Sequence, residues 1–361
     1  MFDNSKPMAF QVLIRQSGQL RLGTSRAPNT VPAGKWTSPP QWYESAGRRR
    51  SQDTALPARN KLTQASQNAP PRQELELQRP VFYSTLNAQL STLNAMKWPA
   101  DYHMHTPLCR HATGEPGEYA ARAAAIGLTE IGFSDHSPMP RDDFDDWRMR
   151  ADQLDEYVAK VRQVQKDFPD LTIRLALEVD YLPGGEDWIR DLAARHPWDY
   201  FIGSVHYVSD DWVVDNPHEI SKWKNRDAFE VWSAYFERLT RAAATGFFEI
   251  IGHADLPKKF GHRPDRDCAP LYEKFLDAAK KNNCAIELNT AGLRKDCKEI
   301  YPNREILQLA FQKGVPITFG SDAHAPEEVG MNFAEAIQLA RSVGYRESCR
   351  FIQRKRQVVK F

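Results

Sequence analysis

Histidine and carboxylate side chains in this sequence concentrate at the downstream ends of short apolar runs. Six of the ten histidines lie there. They fall in the blocks 101–105, 133–136, 203–206, 251–255 and 321–324, several of which also hold an aspartate. Neutral imidazole is a common ligand of zinc, iron and manganese, and carboxylates add negative charge and bridge cations. The pattern indicates a site for divalent metal ions.

The spacing within these blocks supports that interpretation. His103 and His105 are two residues apart, as are Asp322 and His324. On a strand, this spacing points both side chains to the same face, so each pair can bind one ion. Glu178 lies inside the apolar run 173–181, where an unpaired carboxylate would be costly to bury. We therefore expect Glu178 to contact a cation.

The elements that must position these side chains alternate along the chain, in the pattern typical of βαβ units. Seven predicted strands lie at 100–105, 130–134, 173–181, 200–205, 249–253, 285–289 and 316–320. The predicted helices lie at 117–125, 151–168, 226–244, 271–281, 304–313 and 333–342. The predicted fold class is α/β, a distorted (β/α)7 TIM-like barrel with the metal site at the C-terminal ends of its strands.

Two parts of the chain differ in composition. Residues 1–95 carry 12 Lys and Arg against 5 Asp and Glu and show no sustained period, so we predict a disordered basic extension. We expect it to be either an unneeded tail or an artefact of an upstream start codon, and the functional alternative is a basic arm for an acidic partner. Residues 96–361 form the predicted catalytic barrel. Their 36 basic and 42 acidic side chains disfavour a nucleic-acid groove.

Cysteine usage and hydropathy bear on the cellular location. The five cysteines include no C-x-x-C pair, which favours reduced thiols in the cytoplasm. No apolar run approaches the roughly 18 to 20 residues that span a bilayer, and no secretory leader is evident. The expected partner is a small molecule, and the sequence leaves the oligomeric state open.

The ligand order resembles that of the polymerase and histidinol phosphatase (PHP) superfamily over nearly all of residues 98–345. Its pattern is H-x-H, a third histidine six residues on, then His, Glu, His, His and D-x-H. The resemblance implies a trinuclear site of Zn, Mn or Fe. It implies as ligands His103, His105, His111, His136, Glu178, His206, His253, Asp322 and His324.

Segments 133–138, 252–261 and 287–302 resemble the histidinol-phosphatase branch of that superfamily. The resemblance implies metal-assisted hydrolysis of L-histidinol phosphate, with Arg294, Lys259 and Lys258 as candidates for binding the phosphate. Lysine at 259 departs from the arginine often found in this branch. The alternatives are a PHP phosphoesterase for nucleotides or other small esters, and a non-catalytic metal-dependent binding protein. An amidohydrolase would typically have a bridging lysine where this chain has Glu178.

Several other residues have open roles. Asp135 and Asp255 flank ligand histidines and could orient them, transfer a proton, or cap the local backbone. Cys109 lies between His105 and His111, and we predict that it is a bystander to the site. Three further histidines, in Pro- or Arg-bearing loops, are predicted to be surface residues, namely His196, His218 and His262.

Overall fold

The computed structural model describes residues 98–361. The predicted basic extension at 1–95 lies outside these residues. Within them, no helix has the length and apolar character needed to cross a membrane. The five cysteines of this part are all free thiols.

A parallel sheet forms the centre of the fold. Its strands are β1 (Glu130–Phe133), β2 (Thr172–Asp180), β3 (Tyr200–Ser204), β6 (Ile250–Ile251), β7 (Ala285–Asn289) and β8 (Ile317–Gly320), in that spatial order. Neighbouring strands all pair in parallel. Five of the six are buried along their whole length, as expected for near-continuous apolar runs covered on both faces.

The first predicted strand, 100–105, closes this sheet without being a regular strand itself. Asp101 forms parallel bridges to Ile131 of β1 and to Phe319 of β8. The Gly132 amide donates to the Asp101 carbonyl (2.8 Å), and the Tyr102 amide donates to the Phe319 carbonyl (3.1 Å). The backbone of this segment therefore hydrogen-bonds to β1 on one side and to β8 on the other. It closes the six strands and itself into a seven-membered ring. The predicted TIM-like α/β architecture is confirmed.

Seven α-helices surround the sheet. They are α1 (Pro116–Ala125), α2 (Leu154–Asp167), α3 (Glu186–Arg195), α4 (Ala228–Ala244), α5 (Ala269–Lys281), α6 (Arg304–Lys313) and α7 (Phe333–Val343), counted within residues 98–361. Each buries one apolar stripe, as in α4, where Val231, Tyr235 and Leu239 face inward. Gly314 ends α6 with φ of 66°, a left-handed conformation that glycine adopts at little cost.

Three features were not predicted. They are helix α3, a short hairpin of β4 (Tyr207–Ser209) and β5 (Trp212–Val213), and a C-terminal hairpin of β9 (Glu347–Ile352) and β10 (Lys355–Lys360). The C-terminal hairpin contributes Cys349 and Phe351 to a buried cluster with Tyr102 and Tyr200. This apolar cluster is separate from the main core.

Candidate metal centre

Predicted ligands from three parts of the chain meet around Glu178. This residue lies on β2, and His103 and His105 come from the segment that joins β1 to β8. Glu178 Oε2 is 3.3 Å from His103 Nε2 and 3.7 Å from His105 Nε2. Asp322, just after β8, places Oδ1 3.3 Å from His105 Nε2 and 3.8 Å from His103 Nε2. These four residues form a first ligand group.

A second group uses the other oxygen of the same carboxylate. Glu178 Oε1 is 2.9 Å from His253 Nε2, after β6, and 3.7 Å from His206 Nε2, after β3. The Ser204 hydroxyl donates to Oε1 at 2.6 Å. Because each oxygen faces a different group, Glu178 has the geometry of a bridging ligand.

The remaining three predicted ligands form a third group. The ligand atoms of His111, His136 and His324 lie within 4.8 Å of one another. His111 Nε2 and His324 Nε2 are 2.9 Å apart. His136 Nδ1 is also 2.8 Å from Glu178 Oε2, which connects this group to the first. The structure thus brings all nine predicted ligands together at one rim of the barrel.

The polar atoms at the centre of these groups fit bound cations. Four buried atoms make no hydrogen bond, namely His103 Nε2, His105 Nε2, His136 Nδ1 and Glu178 Oε2. An unsatisfied buried polar group costs about 1–3 kcal/mol, more when it is charged. A divalent ion bound between these atoms would remove that cost. The histidine and carboxylate clusters therefore suit divalent metal ions.

The pKa shifts of the ligands differ within the site. Burial would lower the pKa of His103 and that of His206, but neighbouring carboxylates outweigh it and raise both, whereas three other ligands are shifted towards the metal-binding form. Burial would raise the pKa of Glu178, but His136 and His103 outweigh it and hold that pKa well below its usual range. Burial is the main reason why the pKa of His136 and that of His324 lie well below the ordinary value. An ionised carboxylate and neutral imidazoles are the forms that bind metal.

Three carboxylates contact Nδ1 of ligand histidines, the ring nitrogen that faces away from the ligand groups. Glu287 Oε1 lies 2.7 Å from His103 Nδ1, Asp180 Oδ1 lies 2.8 Å from His206 Nδ1, and Asp135 Oδ1 lies 3.4 Å from His105 Nδ1. Each contact leaves Nε2 of the same ring directed at the ligand groups. Carboxylates in this position fix the tautomer and orientation of metal-binding imidazoles.

Glu287 and Asp180 were missed by the sequence analysis, although a signal existed. Both are acidic residues in buried, mainly apolar strands, the same feature that singled out Glu178. Gly320 on β8 makes room for Glu287, because a Cβ at position 320 would lie 2.0 Å from Glu287 Oε1. Asp322, two residues later, adopts φ of 53°, a strained value typical of functional sites.

The two predicted proton-transfer residues are both fully buried. The Asp135 carboxylate accepts from the Thr106 amide (3.2 Å), the Thr106 hydroxyl and the His136 amide (2.8 Å). Asp255 Oδ2 accepts from the Asn303 amide at 2.9 Å, while its Oδ1 has no hydrogen bond. Burial raises the pKa of Asp255.

The three predicted phosphate-binding cations differ in their surroundings. Arg294 donates from Nη2 to the carbonyls of Ser321 (2.8 Å) and Asp322 (3.1 Å), and its buried Nη1 has no hydrogen bond. Lys259 Nζ lies 2.9 Å from Asp215 Oδ2. The Lys258 side chain is fully buried. Arg294 thus adjoins the metal ligands, and like both lysines it has an acidic partner, because its Nε lies 3.1 Å from Glu328 Oε1.

Lys258 occupies a closed ionic network. Its Nζ is 2.8 Å from Asp255 Oδ2, 3.1 Å from Glu299 Oε2 and 2.7 Å from the Ile300 carbonyl. These contacts surround the ammonium group, and the one to the Ile300 carbonyl is a hydrogen bond. A substrate phosphate could reach Lys258 only if one of them were broken.

Cys109, which was predicted to be a bystander, lies beside the predicted metal ligands. It is buried, and its Sγ is within 4.8 Å of ligand atoms of His105 and His324. Burial and Asp135 raise the pKa of its thiol, but hydrogen bonds with His105 and His111 outweigh them, and the net pKa is lowered.

The three histidines predicted to be surface residues belong to none of the ligand groups found in residues 98–361. His196 Nε2 lies 3.0 Å from Asp155 Oδ1 near the surface, and His218 is exposed. His262 is half-buried instead, because its ring stacks on Trp223 at 4.2 Å.

Comparison with known proteins identifies the family. The PHP domain model matches residues 101–291, and the PHP-associated model matches 301–338. A probable histidinol-phosphatase of Deinococcus radiodurans is 44% identical over 259 residues, which cover 71% of this chain and 98% of that protein. The histidinol-phosphatase of Bacillus subtilis is 31% identical over 254 residues, covering 64% and 95%.

A solved structure has the same fold. It is the histidinol phosphate phosphatase of Lactococcus lactis in complex with zinc, L-histidinol and phosphate. The two structures align with a TM-score of 0.62 at 22% identity, over 72% of this chain and 98% of the other. At this identity the likeness concerns the fold. With the family model matching more than half of its length, the chain belongs to the PHP domain family.

Proposed function

We propose that this protein is a divalent-metal-dependent phosphatase that hydrolyses L-histidinol phosphate to L-histidinol and phosphate, a step of histidine biosynthesis. The observation that carries the proposal is the convergence of eight other predicted metal ligands around Glu178, with the Arg294 guanidinium beside Asp322. The relatives from Deinococcus radiodurans and Bacillus subtilis, both named histidinol-phosphatases, support the choice of substrate.

The ligand groups would hold three ions. We assign His103, His105 and Asp322 to the first, His206 and His253 to the second, and His111, His136 and His324 to the third, with Glu178 bridging the first two. Bound divalent ions lower the pKa of water and neutralise phosphoryl oxygens. The predominance of imidazole suits zinc, with manganese or iron as alternatives, and the zinc in the Lactococcus lactis structure favours the first.

Arg294 is the residue we assign to the substrate phosphate. Its Nη2 is held by two backbone carbonyls and its Nε lies 3.1 Å from Glu328 Oε1, while Nη1 makes no hydrogen bond and can contact a phosphate oxygen. A planar guanidinium can contact two such oxygens at once, which a lysine ammonium cannot do with the same geometry. Lys259 is the second candidate for binding the phosphate. It could do so only after its ion pair with Asp215 is broken.

Proton transfer to the leaving alkoxide is assigned to Asp255. Its Oδ2 pairs with Lys258, but its Oδ1 has no hydrogen bond, and burial outweighs the lysine and raises the pKa of Asp255, as suits a general acid. Asp135, whose two oxygens both accept hydrogen bonds, instead positions His105. If Asp255 protonates the leaving group, Asp255→Asn should slow hydrolysis of L-histidinol phosphate much more than that of p-nitrophenyl phosphate, whose leaving group needs no proton.

The direct test is release of inorganic phosphate by the metal-loaded full chain. L-histidinol phosphate is compared with a panel of nucleotides and p-nitrophenyl phosphate, and chelator-treated enzyme is the control. We expect a strong preference for L-histidinol phosphate that disappears on chelation and returns with added metal. Preference for a nucleotide or another ester would overturn the substrate assignment, and absence of turnover would favour a metal-dependent binding protein.

Arg294→Lys provides a second arm of this test. It keeps the positive charge and removes the planar fork, so KM for L-histidinol phosphate should rise by about tenfold, the equivalent of one good charge-assisted hydrogen bond. Metal content should remain at the wild-type level. An unchanged KM would contradict the assignment of Arg294.

A further inference from the structure

One aromatic side chain lies against the metal ligands without being a ligand. Trp147 belongs to the irregular segment that connects β1 to α2. Its ring centroid is 4.8 Å from that of His136, at 87°, and 5.2 Å from that of His206, at 72°. Because His136 and His206 belong to different ligand groups, the indole lies across both groups.

The Arg148 side chain packs on the Trp147 indole and fixes its orientation. The Arg148 guanidinium carbon lies 4.0 Å from the Trp147 ring centroid, in a cation–π contact. Arg148 is itself buried and donates to Asp180 Oδ2 at 2.9 Å and to Asp145 Oδ2 at 2.7 Å. Since Asp180 also binds His206 Nδ1, one set of contacts holds both the indole and a metal ligand.

The hairpin of β4 and β5 adds a second aromatic wall. The Tyr207 ring is 6.3 Å from Trp147 and nearly parallel to it, at 22°. Phe144 packs against Tyr207 at 5.3 Å, and the Tyr207 hydroxyl donates to Asp145 at 2.9 Å. Trp147 is nevertheless only half-buried, so part of its ring remains accessible at the metal centre.

The segment that carries this indole is strongly acidic. Residues 141–147 read Arg-Asp-Asp-Phe-Asp-Asp-Trp. Asp145 is engaged with Arg148, and Asp142 accepts from the Ala151 amide at 2.8 Å. Asp146, next to the indole in sequence, is exposed and makes no hydrogen bond or ion pair with any residue of the described part. A flat aromatic surface thus lies beside uncompensated negative charge.

We propose that Trp147 determines substrate specificity by contacting the organic part of the phosphate ester. This inference rests on the proposed function, and it names how that substrate is recognised. L-Histidinol phosphate carries a flat imidazole ring and a primary ammonium group. With its phosphate at the metal ligands, the imidazole packs on the indole, and the acidic segment 142–146 attracts the ammonium.

The test compares two phosphate esters on Trp147→Ala and Trp147→Phe. L-Histidinol phosphate has the imidazole ring, whereas 2-aminoethyl phosphate keeps the phosphate and the ammonium but lacks the ring. For Trp147→Ala we expect kcat/KM on L-histidinol phosphate to fall by about 10- to 100-fold, mainly through KM, in line with lost aromatic burial. Activity on 2-aminoethyl phosphate should change by less than about threefold, and Trp147→Phe should be intermediate.

The chain offers a matched control in Trp188 of α3. Trp188 is also half-buried, has the Arg195 guanidinium 5.0 Å from its ring and donates to the Pro138 carbonyl at 2.9 Å. It therefore tethers the start of the same connection, and no ring contact joins it to a ligand histidine in residues 98–361. Trp188→Ala should leave the ratio of the two activities at the wild-type value.

The possible results separate this inference from the proposed function. If the wild type prefers L-histidinol phosphate and Trp147→Ala keeps that preference, the role of Trp147 is refuted while the function stands. If Trp147→Ala loses both activities equally and its metal content falls, Trp147 only packs the metal centre, and the inference is overturned. If the wild type shows no preference for L-histidinol phosphate, the proposed function fails before any variant is measured.

Discussion

The carboxylate of Glu287 lies 2.7 Å from Nδ1 of His103, and both side chains are buried. Glu287 Oε2 also accepts from the His253 amide at 3.0 Å, so this one carboxylate contacts residues of two ligand groups. It lies behind the predicted ligands and orients them. Such positioning contacts are part of the metal site, although they supply no ligand atom.

Glu287→Gln should therefore weaken metal binding without removing a ligand. Loss of such a carboxylate typically costs 10- to 100-fold in metal affinity or activity. We expect a drop of about that size in metal affinity, measured by competition with a chromophoric chelator, and partial recovery of kcat/KM in excess metal.

Glu249→Gln is the matched control for this change. Glu249 immediately precedes β6, is largely buried, and pairs with Arg354 at 2.9 Å, at the opposite end of that strand from His253. This control should bind metal as the wild type does. Equal metal affinity in the Glu287→Gln variant and the wild type would contradict the positioning role.

Glu178→Gln tests the bridging role itself. Glutamine keeps the size of the side chain and removes the charge that faces His136 at 2.8 Å and His253 at 2.9 Å. Breaking a buried charged contact costs about 3–5 kcal/mol, so metal affinity should fall by two to three orders of magnitude or more. Metal analysis after dialysis should show the loss, and phosphatase activity should disappear with it.

Thermal unfolding gives an independent measure of the same sites. A ligand present at 100 times its Kd stabilises the folded state by about 2.7 kcal/mol, so chelation should lower Tm of the wild type by several degrees. The Glu178→Gln variant should respond much less.

Glu130→Gln is the control for this change. It removes a buried partner of Arg174 and Arg350 far from the ligands, so it should lower stability yet keep full metal content. Full metal content in Glu178→Gln would refute the bridge.

Much of this site could be predicted because strand ends in a parallel sheet converge on one rim. The apolar runs before His136, His206 and His253 are local signals, and the fold then brings their ends together.

The segment 100–105 was predicted as a strand, but its hydrogen bonds alternate between β1 and β8, which no local pattern encodes. Helix α3 was missed because it buries only Ile189 and Leu192 completely.

The contacts of Trp147 could not be predicted for a different reason. The connection from β1 to α2 is irregular and rich in Asp and Arg, so it has no period that fixes its path. Its position depends on ion pairs between distant residues, such as Arg148 with Asp180 on β2. Tertiary contacts of this kind are absent from patterns of residue type.

Lys258→Met distinguishes a structural lysine from a phosphate-binding one. Its removal leaves the buried Asp255 carboxylate without a counter-charge, and breaking a buried pair costs about 3–5 kcal/mol. We expect a loss of that size in the free energy of unfolding, measured by urea denaturation. The double variant with Asp255→Asn should recover part of it. A raised KM at unchanged stability would instead support the phosphate-binding prediction for Lys258.

The ion pair of Asp215 and Lys259 should make stability depend on pH in the acid range. Burial would raise the pKa of Asp215, but the Lys259 ammonium 2.9 Å away outweighs it and lowers that pKa from 3.8 to about 2. Because the folded-state pKa is depressed, the contribution of Asp215 is present above pH 4 and is lost as pH falls towards 2. The shift corresponds to about 2 kcal/mol.

Urea unfolding of the wild type and of Asp215→Asn measures this contribution. The difference in free energy of unfolding should be about 2 kcal/mol between pH 5 and 7 and should shrink below pH 4, where the Asp215 carboxylate of the unfolded wild type becomes protonated. Asp265→Asn, at a side chain that is 91% exposed, should show no such difference. In a Lys259→Met background the difference should shrink, because the main charge that lowers the pKa of Asp215 is gone. A difference that persists undiminished at pH 3 would mean that Asp215 stabilises the fold through its packing and hydrogen bonds, and it would leave Lys259 free to contact the substrate phosphate.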